Sequence, residues 1–224
     1  MGTPQPQLGS TSISSAVAEE ISGNCDHTVW SALDAGTAQT SDVNELLGDE
    51  LLRRQQIDQE ARMRCIELTR GLAAGQQPSA EANEAIERLR AVDADNTAWL
   101  RDVVRSRGWP RRSDVGERAA NAAWLLVQHS DQDSAFQREC LELLAAAVAA
   151  GEASATDMAY LTDRVLRAEG KPQRYGTQFA PGPQGSLEPQ PLENAEGVDE
   201  LRASVGLGPL EEYARKIEEM YGTG

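Results

Sequence analysis

The stretch that decides the fold is SDVGERAANAAWLLVQHS, which runs from Ser113 to Ser130. Between Ala119 and Val127 its apolar residues lie almost all round a helix instead of on one face. A helix of that kind is buried on several sides. We therefore predict a central helix against which the other helices pack, with His129 in its last turn.

The segments before the central helix also carry helical periodicity. Apolar residues recur at steps of three and four from Leu46 to Leu68, and Asp42 is the candidate cap. A second helix is predicted from Ser79 to about Arg107. A break with a new cap is expected inside it, at one of three residues: Asp93, Asp95 and Asn96.

Two more helices are predicted after the central one. Asp131 or Asp133 caps the first, which buries apolar residues from Phe136 to Val148. In the second, Ser154 and Asp157 resemble a capping box, and Gly170 ends the helix.

These patterns predict an all-α protein, a single irregular bundle of about five core helices. Aromatic residues make up only 4% of the chain, which favours packed helices over a β-sandwich. We predict a flexible acidic leader at residues 1–40, a helical core domain at 42–179, and a Pro/Gly-rich arm at 180–224. The arm carries two short helices and is expected to wrap back onto the core.

Charge and cysteine content restrict the function classes. The net charge is −15, and the acidic excess lies in the flanks, so no basic face for nucleic acid is expected. No apolar run of membrane-spanning length occurs, and no membrane partner is expected. Three cysteines without a CxxC pair favour free thiols in the cytoplasm. The preference for Arg over Lys is typical of a high-GC bacterium.

Two features are candidates for chemistry. His129 is one of only two histidines, and its side chain titrates most easily near neutral pH. The second is the loop KPQRYGTQF, Lys171 to Phe179, which holds more hydrogen-bonding groups than a turn around Gly176 requires. The alternative interpretations are a helix-terminal histidine and a loop that only holds the arm in place.

Two charged pairs belong to the same hypothesis. Asp58 and Arg62 lie four residues apart and can pair on one helix face, either as a solvated pair or as part of a site. Asp163 and Arg164 are adjacent, so they point to different faces and each is expected to find a partner elsewhere.

A metal site is the weaker interpretation of HSDQD, the sequence from His129 to Asp133. Zinc and iron sites usually contain more than one histidine, and helix capping explains both carboxylates. No nucleotide-binding glycine motif and no nucleophile elbow occurs in the chain. We therefore expect neither a metal nor a cofactor.

From Asp93 to Phe179 the sequence resembles a bacterial domain family of unknown function, number 6624 in that series. The resemblance rests on GWPRRSDVGERAANAAWLLVQHSDQDSAFQ and YLTDRVLRAEGKPQRYGTQF, with weaker similarity at DQEAR and VDELRASVGLGPLEEY. It implies no established reaction. It implies a set of shared pattern residues: Trp109, Pro110, Gly116, His129, Asp163, Arg164, Gln173, Tyr175, Gly176, Thr177 and Gln178.

The favoured hypothesis is an enzyme that uses acid/base chemistry on a small molecule or peptide, by hydrolysis, elimination or group transfer. The expected catalytic residues are His129, Tyr175 and Asp163. The expected substrate-binding residues are Gln173, Gln178, Thr177, Arg164, Arg62, Asp58 and Trp109. The alternatives are a metal-dependent hydrolase at His129 and Asp131, and a non-catalytic module that engages a partner protein or peptide through its acidic flanks.

Overall fold

The computed structural model describes residues 40–72, 76–182 and 186–221. This part of the chain contains eight helices and one small antiparallel sheet, which confirms the all-α prediction. The elements are α1 (Thr40–Thr69), α2 (Ala80–Arg107), α3 (Arg112–Val115), α4 (Glu117–Gln128), α5 (Ser134–Ala149), α6 (Ala155–Ala168), β1 (Phe179–Pro181), β2 (Leu187–Pro189), α7 (Val198–Ser204) and α8 (Leu210–Tyr221).

The helix α4 is the centre of the bundle, as its sequence predicted. It packs against α1, α2, α5 and α6. Ala122, Ala123 and Val127 are fully buried, and Leu126 is 1% exposed. The small alanine side chains allow the neighbouring helices to approach closely, while Leu51 and Leu100 fill the space from α1 and α2.

Three predicted helix caps are present. The side chains of Ser79, Asp133 and Ser154 accept hydrogen bonds from the backbone N–H groups three residues later, at 3.0 to 3.3 Å. Helix α1 begins at Thr40, two residues before the expected cap Asp42. The rest of the predicted leader, with Cys25 and His27, lies outside the described residues.

The expected break inside α2 is wrong, because this helix runs without interruption from Ala80 to Arg107. The carboxylate of Asp95 and the amide oxygen of Asn96 accept hydrogen bonds from Arg54 on α1. Asp93 accepts one from Arg62, also on α1. These polar side chains therefore bind a neighbouring helix, and the cap-like pattern reflects tertiary contacts.

The C-terminal arm wraps back onto the core, as predicted. Tyr213 of α8 stacks edge to face on Tyr160 of α6 and on Phe179 of β1, with ring centroids 6.1 and 5.6 Å apart. The hairpin of β1 and β2, in which Ala180 pairs with Glu188, was not predicted. Among the described helices, none combines the length and the apolar composition that crossing a bilayer requires.

Candidate functional site

Three elements of the bundle bring charged side chains together at one end of α4. Helix α1 supplies Asp58 and Arg62, which lie one turn apart on the same face. Helix α2 supplies Asp93, and His129 follows the last residue of α4. We call these four residues the His129 cluster.

One contact in the cluster joins Asp58 and His129. The Nδ1 atom of His129 lies 2.9 Å from each carboxylate oxygen of Asp58. The Asp58 side chain is completely buried, whereas that of His129 is 14% exposed. The Gln59 side-chain amide donates a further hydrogen bond of 2.8 Å to Asp58 Oδ2. Asp58 is thus a buried carboxylate directed at an imidazole.

Two neighbours act on Nδ1 of the neutral histidine. An ionised carboxylate can only accept hydrogen bonds, so the two Asp58 oxygens at 2.9 Å favour a proton on Nδ1. The Nε–H group of Arg62, 3.0 Å from the same atom, favours a lone pair there. When the proton is on Nδ1, it is donated to Asp58 and Nε2 carries the lone pair.

Arg62 links the two carboxylates of the cluster. Its Nη2 atom donates to Asp93 Oδ1 at 2.6 Å and to Asp58 Oδ1 at 3.3 Å. Its Nε atom lies 3.0 Å from Nδ1 of His129, close enough to add a repulsive positive charge to an imidazolium. The pair of Asp58 and Arg62 is therefore mostly enclosed by protein and is not the solvated surface pair that its spacing allowed.

Burial and charge shift the three titrating groups in different directions. Burial lowers the pKa of His129 below its ordinary value, and the hydrogen bond to Asp58 only partly opposes this. Burial alone would raise the pKa of Asp58, but the contacts with His129 and Arg62 lower it below its ordinary range. Burial raises the pKa of Asp93 to about 6, despite its contact with Arg62. At neutral pH the cluster therefore contains a neutral imidazole and an ionised Asp58.

Charge compensation within the cluster partly opposes the effect of burial on the pKa of His129. Above pH 6 the two carboxylates, Asp58 and Asp93, face the single guanidinium of Arg62, which leaves one net negative charge. A proton bound at Nε2 of His129 neutralises the cluster. Because most of these groups are shielded from water, that compensation is stronger than it would be at the surface.

A small cavity borders the cluster. It has a volume of about 210 Å³ and is lined by residues of α2 and of the turn between α4 and α5. Asp93 and His129 contribute the titrating groups, and Arg101 is the basic residue of the lining. The remaining lining residues are Ala94, Thr97, Ala98, Ser130, Gln132 and Asp133.

The hydroxyl groups in this lining are already hydrogen bonded. Ser130 donates to the carbonyl oxygen of Leu126 at 3.0 Å and accepts from Thr97 at 2.9 Å. The Ser130 side chain is 1% exposed. These contacts leave neither hydroxyl poised as a nucleophile toward the cavity.

The geometry also bears on metal binding. Ligand atoms of Asp58, Asp93 and His129 lie within 4.8 Å of one another, which is the convergence that a divalent cation requires. Arg62, however, contacts all three residues through its guanidinium group. With Arg62 in place, the positive charge at this point is supplied by the protein and the residues do not fit a metal.

The set proposed from HSDQD does not converge on a metal either. Asp131 accepts hydrogen bonds from Arg164 at 2.7 and 2.8 Å, and a third from Gln137. Asp133 caps α5 and pairs with Arg101. Helix capping and ion pairing account for both carboxylates.

The loop from Lys171 to Phe179 is arranged around the carboxylate of Asp163. Asp163 is fully buried and accepts hydrogen bonds from the backbone N–H groups of Arg174, Tyr175 and Thr177, and from the Thr177 hydroxyl, at 2.7 to 3.2 Å. The Asp163 carboxylate therefore acts as an internal anchor, and its oxygens are enclosed by the loop.

The amide side chains of the loop are also used internally. Gln173 is completely buried, and its side chain bonds to the backbone N–H and carbonyl of Gln178 and to the carbonyl of Gln190. The side chain of Gln178 donates to Thr177. The carbonyl of Tyr175 accepts a 2.5 Å hydrogen bond from the buried guanidinium of Arg202. The loop thus joins α6 to the C-terminal arm.

The structure does not bring the loop into the His129 cavity. None of Gln173, Tyr175, Thr177 and Gln178 is among the residues that line that cavity. Trp109 lies in the hydrophobic core at 6% exposure. Arg164 is nearer to His129 and lowers its pKa, but it is held by Gln128 at 2.8 Å and by Asp131.

Asp163 and Arg164 follow the sequence prediction, whereas Asp93 does not. Asp163 and Arg164 point to different partners, as their adjacent positions predicted. Asp93 was predicted only as a helix cap, and Arg101 was not singled out, yet both line the cavity. The sequence contains one signal for Asp93, a carboxylate on the helix that follows the Asp58–Arg62 pair. That signal indicates a contact only when the packing of α1 against α2 is known.

Comparison with known proteins places the sequence in a family. The model of a family of unknown function (DUF6624) matches residues 46–224. This span is wider than the resemblance from Asp93 to Phe179 and includes Asp58 and Arg62 as well as the C-terminal arm. No curated protein and no solved structure matches the chain.

Proposed function

The chain belongs to DUF6624, a family of unknown function, and for this member we propose an enzyme that uses acid/base chemistry on a small polar molecule or peptide. The supporting observation is the contact of 2.9 Å between Nδ1 of His129 and the buried carboxylate of Asp58. We assign the ring proton to Nδ1, so that Nε2 of the neutral imidazole is the base beside the cavity that His129 lines.

His129 is the general base in this proposal. Its lowered pKa keeps Nε2 unprotonated at neutral pH, and Asp58 stabilises the imidazolium that forms when Nε2 takes a proton. A positioned base of this kind contributes about 10²- to 10⁴-fold to a reaction rate.

Asp93 is the general acid. A carboxyl group with a pKa of about 6 is protonated in a useful fraction of molecules near neutral pH. It lies on the same cavity as His129 and is connected to it through Arg62.

Hydrolysis is the reaction class that these groups support best. The hydroxyls of Ser130 and Thr97 are held by internal hydrogen bonds, so the nucleophile is water. Nε2 removes a proton from this water while its oxygen bonds to the electrophilic carbon. Protonated Asp93 then donates its proton to the leaving group as the bond to carbon breaks.

The cavity restricts the substrate. About 210 Å³ is smaller than a pocket for a drug-sized ligand, and it suits a compact polar group or one residue of a peptide. Its walls offer the Gln132 amide for hydrogen bonding, while the Arg101 guanidinium is paired with Asp133.

Acylation of His129 with diethyl pyrocarbonate tests the arrangement before a substrate is identified. His27→Gln leaves His129 as the single histidine of the chain. We expect His129 to react in the folded protein, with a rate that follows its neutral fraction and a midpoint below pH 6.5. An unreactive imidazole would show that Nε2 is not available, and would overturn the proposal.

Activity against small amides, esters and dipeptides tests the chemistry itself. His129→Gln should abolish hydrolysis by the wild-type protein, whereas Arg90→Gln, which removes an exposed ion pair with Glu87, should not change it. Full activity in the His129→Gln variant would contradict the role of this residue.

We further propose that the protein is bacterial and cytoplasmic. Cys65 and Cys140 are free thiols, which fits a reducing compartment. Burial raises the pKa of Cys140 to about 12, so this thiol is inert and structural. Thiol labelling of the unfolded protein, purified from its native host without reductant, should detect three free cysteines.

A further inference from the structure

A second cavity lies at the opposite end of α4 from His129, where α4 and α6 begin. Its volume is about 330 Å³. Trp124 and Leu144 form an apolar wall, and charged residues of both signs complete the lining. We call it the Trp124 cavity, and nothing in the proposed acid/base chemistry uses it.

The charged groups of this cavity are not paired with each other. Arg112, Arg118, Glu117, Glu152 and Asp157 all line it, yet none of them makes an ion pair within 4.0 Å in the part of the chain that the structure describes. Other arginines of the bundle do pair, as Arg62 and Arg164 show. Two guanidinium groups and three carboxylates therefore surround one concave surface, and the charge of Arg112 acts on Glu152 and Asp157 without a direct contact.

Asp157 is the least solvated of these charges. It is half-buried and accepts a 3.2 Å hydrogen bond from the Asn121 amide. Burial raises the pKa of its carboxyl group above the ordinary value. A partly desolvated carboxylate that lines the same cavity as an indole is an arrangement that attracts an ammonium group.

The wall of the cavity is held in position by a series of aromatic contacts. Trp124 stacks edge to face on Tyr160, with ring centroids 6.0 Å apart, and Tyr160 stacks in the same way on Tyr213 of the arm. Glu152 is held by the backbone N–H of Ser113 at 2.8 Å. A pre-organised wall of this kind lowers the cost of ordering the site when a ligand binds.

We propose that the Trp124 cavity binds a small zwitterion that carries an amino group and a carboxylate. Asp157 receives the ammonium group beside the Trp124 ring, and Arg112 and Arg118 receive the carboxylate. Arginine binds carboxylates through paired N–H donors, which makes it suited to this half of the ligand. The inference is independent of the proposed function at His129.

A length series of ω-amino acids, from glycine to 6-aminohexanoate, tests the proposal. Each compound is compared with the carboxylate and the amine of the same chain length, using the indole NMR signal of Trp124 in the full chain. We expect at least one zwitterion to shift this signal and to bind about tenfold more tightly than either matched compound, since each charge-assisted contact contributes on that scale.

Conservative variants separate the two halves of the site. Asp157→Asn should remove the advantage of the zwitterion over the carboxylate, and Arg118→Gln combined with Arg112→Gln should remove its advantage over the amine. Glu211→Gln and Arg90→Gln, at exposed positions elsewhere, serve as matched charge controls. Thermal unfolding of each variant verifies that it is folded.

Three results would overturn the inference. The first is a series in which no zwitterion shifts the Trp124 signal. The second is equal affinity for a zwitterion and its matched carboxylate or amine. The third is binding that survives unchanged in the folded Asp157→Asn or double arginine variants.

Discussion

Nδ1 of His129 lies 2.9 Å from the carboxylate of Asp58, although 71 positions separate the two residues in the chain. The carboxylate is fully buried, and the imidazole reaches the edge of a cavity. A histidine at a helix end could simply bond to a backbone carbonyl. Here a buried carboxylate orients the ring instead, so its second nitrogen can exchange protons with a bound molecule.

Asp58→Asn should lower the pKa of His129 further, because the hydrogen bond and charge of Asp58 raise it in the wild type. The neutral amide also removes the anion that favours a proton on Nδ1. The ¹⁵N chemical shifts of the two ring nitrogens report the tautomer and the pKa directly.

The same variant should reduce the proposed hydrolytic activity about 10²- to 10⁴-fold, as expected for loss of an oriented base. Asp102→Asn, at an exposed position of α2, is the matched control and should retain wild-type activity. If the ring shifts of His129 are the same in the Asp58→Asn variant as in the wild type, the pair of Asp58 and His129 does not exist in solution.

Asp93→Asn should change the pH dependence of stability in a defined direction. The folded protein binds a proton at Asp93 up to about pH 6, whereas the unfolded chain releases it near pH 4. Asp93 therefore lowers the free energy of unfolding as pH rises through this window. Relative to the wild type, the variant should gain about 2 kcal/mol between pH 4 and pH 7.

Urea denaturation at both pH values measures this difference. His129, whose pKa is lowered, contributes the opposite slope below pH 6.5, but it is present in both proteins and largely cancels in the comparison. A variant whose stability tracks the wild type at both pH values would show that Asp93 has an ordinary pKa.

Asp163→Asn should release the loop after α6. The carboxylate accepts hydrogen bonds from three backbone N–H groups and from the Thr177 hydroxyl, and an amide nitrogen would face some of those donors. We expect a loss of about 3 to 5 kcal/mol in the free energy of unfolding, typical of breaking a buried charged network.

Hydrogen exchange locates that effect. The amide protons of Arg174, Tyr175 and Thr177 should lose more protection than the loss of global stability explains. The amide protons of α4 should lose no more than that global amount. Asp114→Asn, on the exposed helix α3, is the control. Retained protection at the three loop amides would contradict the anchoring role of Asp163.

Gly176→Ala should destabilise the protein more than Gly170→Ala. Both glycines have positive φ angles, +68° and +71°, so each substitution incurs backbone strain of about 1 kcal/mol. A Cβ at residue 176 would also lie 2.8 Å from Cδ1 of Leu210, while one at residue 170 meets no heavy atom within 4 Å.

The difference between these two variants in thermal unfolding therefore isolates the contact between the loop and the arm. Equal destabilisation would mean that Leu210 moves aside at no cost and that the arm is not firmly packed on Gly176.

The helices could be predicted from sequence because their signals are local. Caps such as Ser79 and Ser154 bond to backbone groups three residues away, and the apolar residues from Ala119 to Val127 lie almost all round the helix, so it must be buried on several sides. The predicted break in α2 is wrong because its signal is not local. Asp93, Asp95 and Asn96 look like caps, but their partners are arginines on α1.

The candidate site could be predicted only in part. His129, Asp58 and Arg62 were each identified as candidates, but nothing in their spacing indicated that they share one cluster. The polar loop was expected to form the other wall, because its side chains exceed what a turn requires. The structure uses those side chains to anchor the loop on Asp163 and to bind the C-terminal arm.

The sequence by itself determined which segments are helical, which helix is central, and that His129 lies at its end. These features depend on hydrogen bonds within a turn or two and on the side on which apolar residues fall. Only the tertiary structure decided what faces His129, because that depends on how α1 and α2 pack around α4. Asp58 and Asp93 meet the imidazole across distances in the chain over which no local pattern carries information.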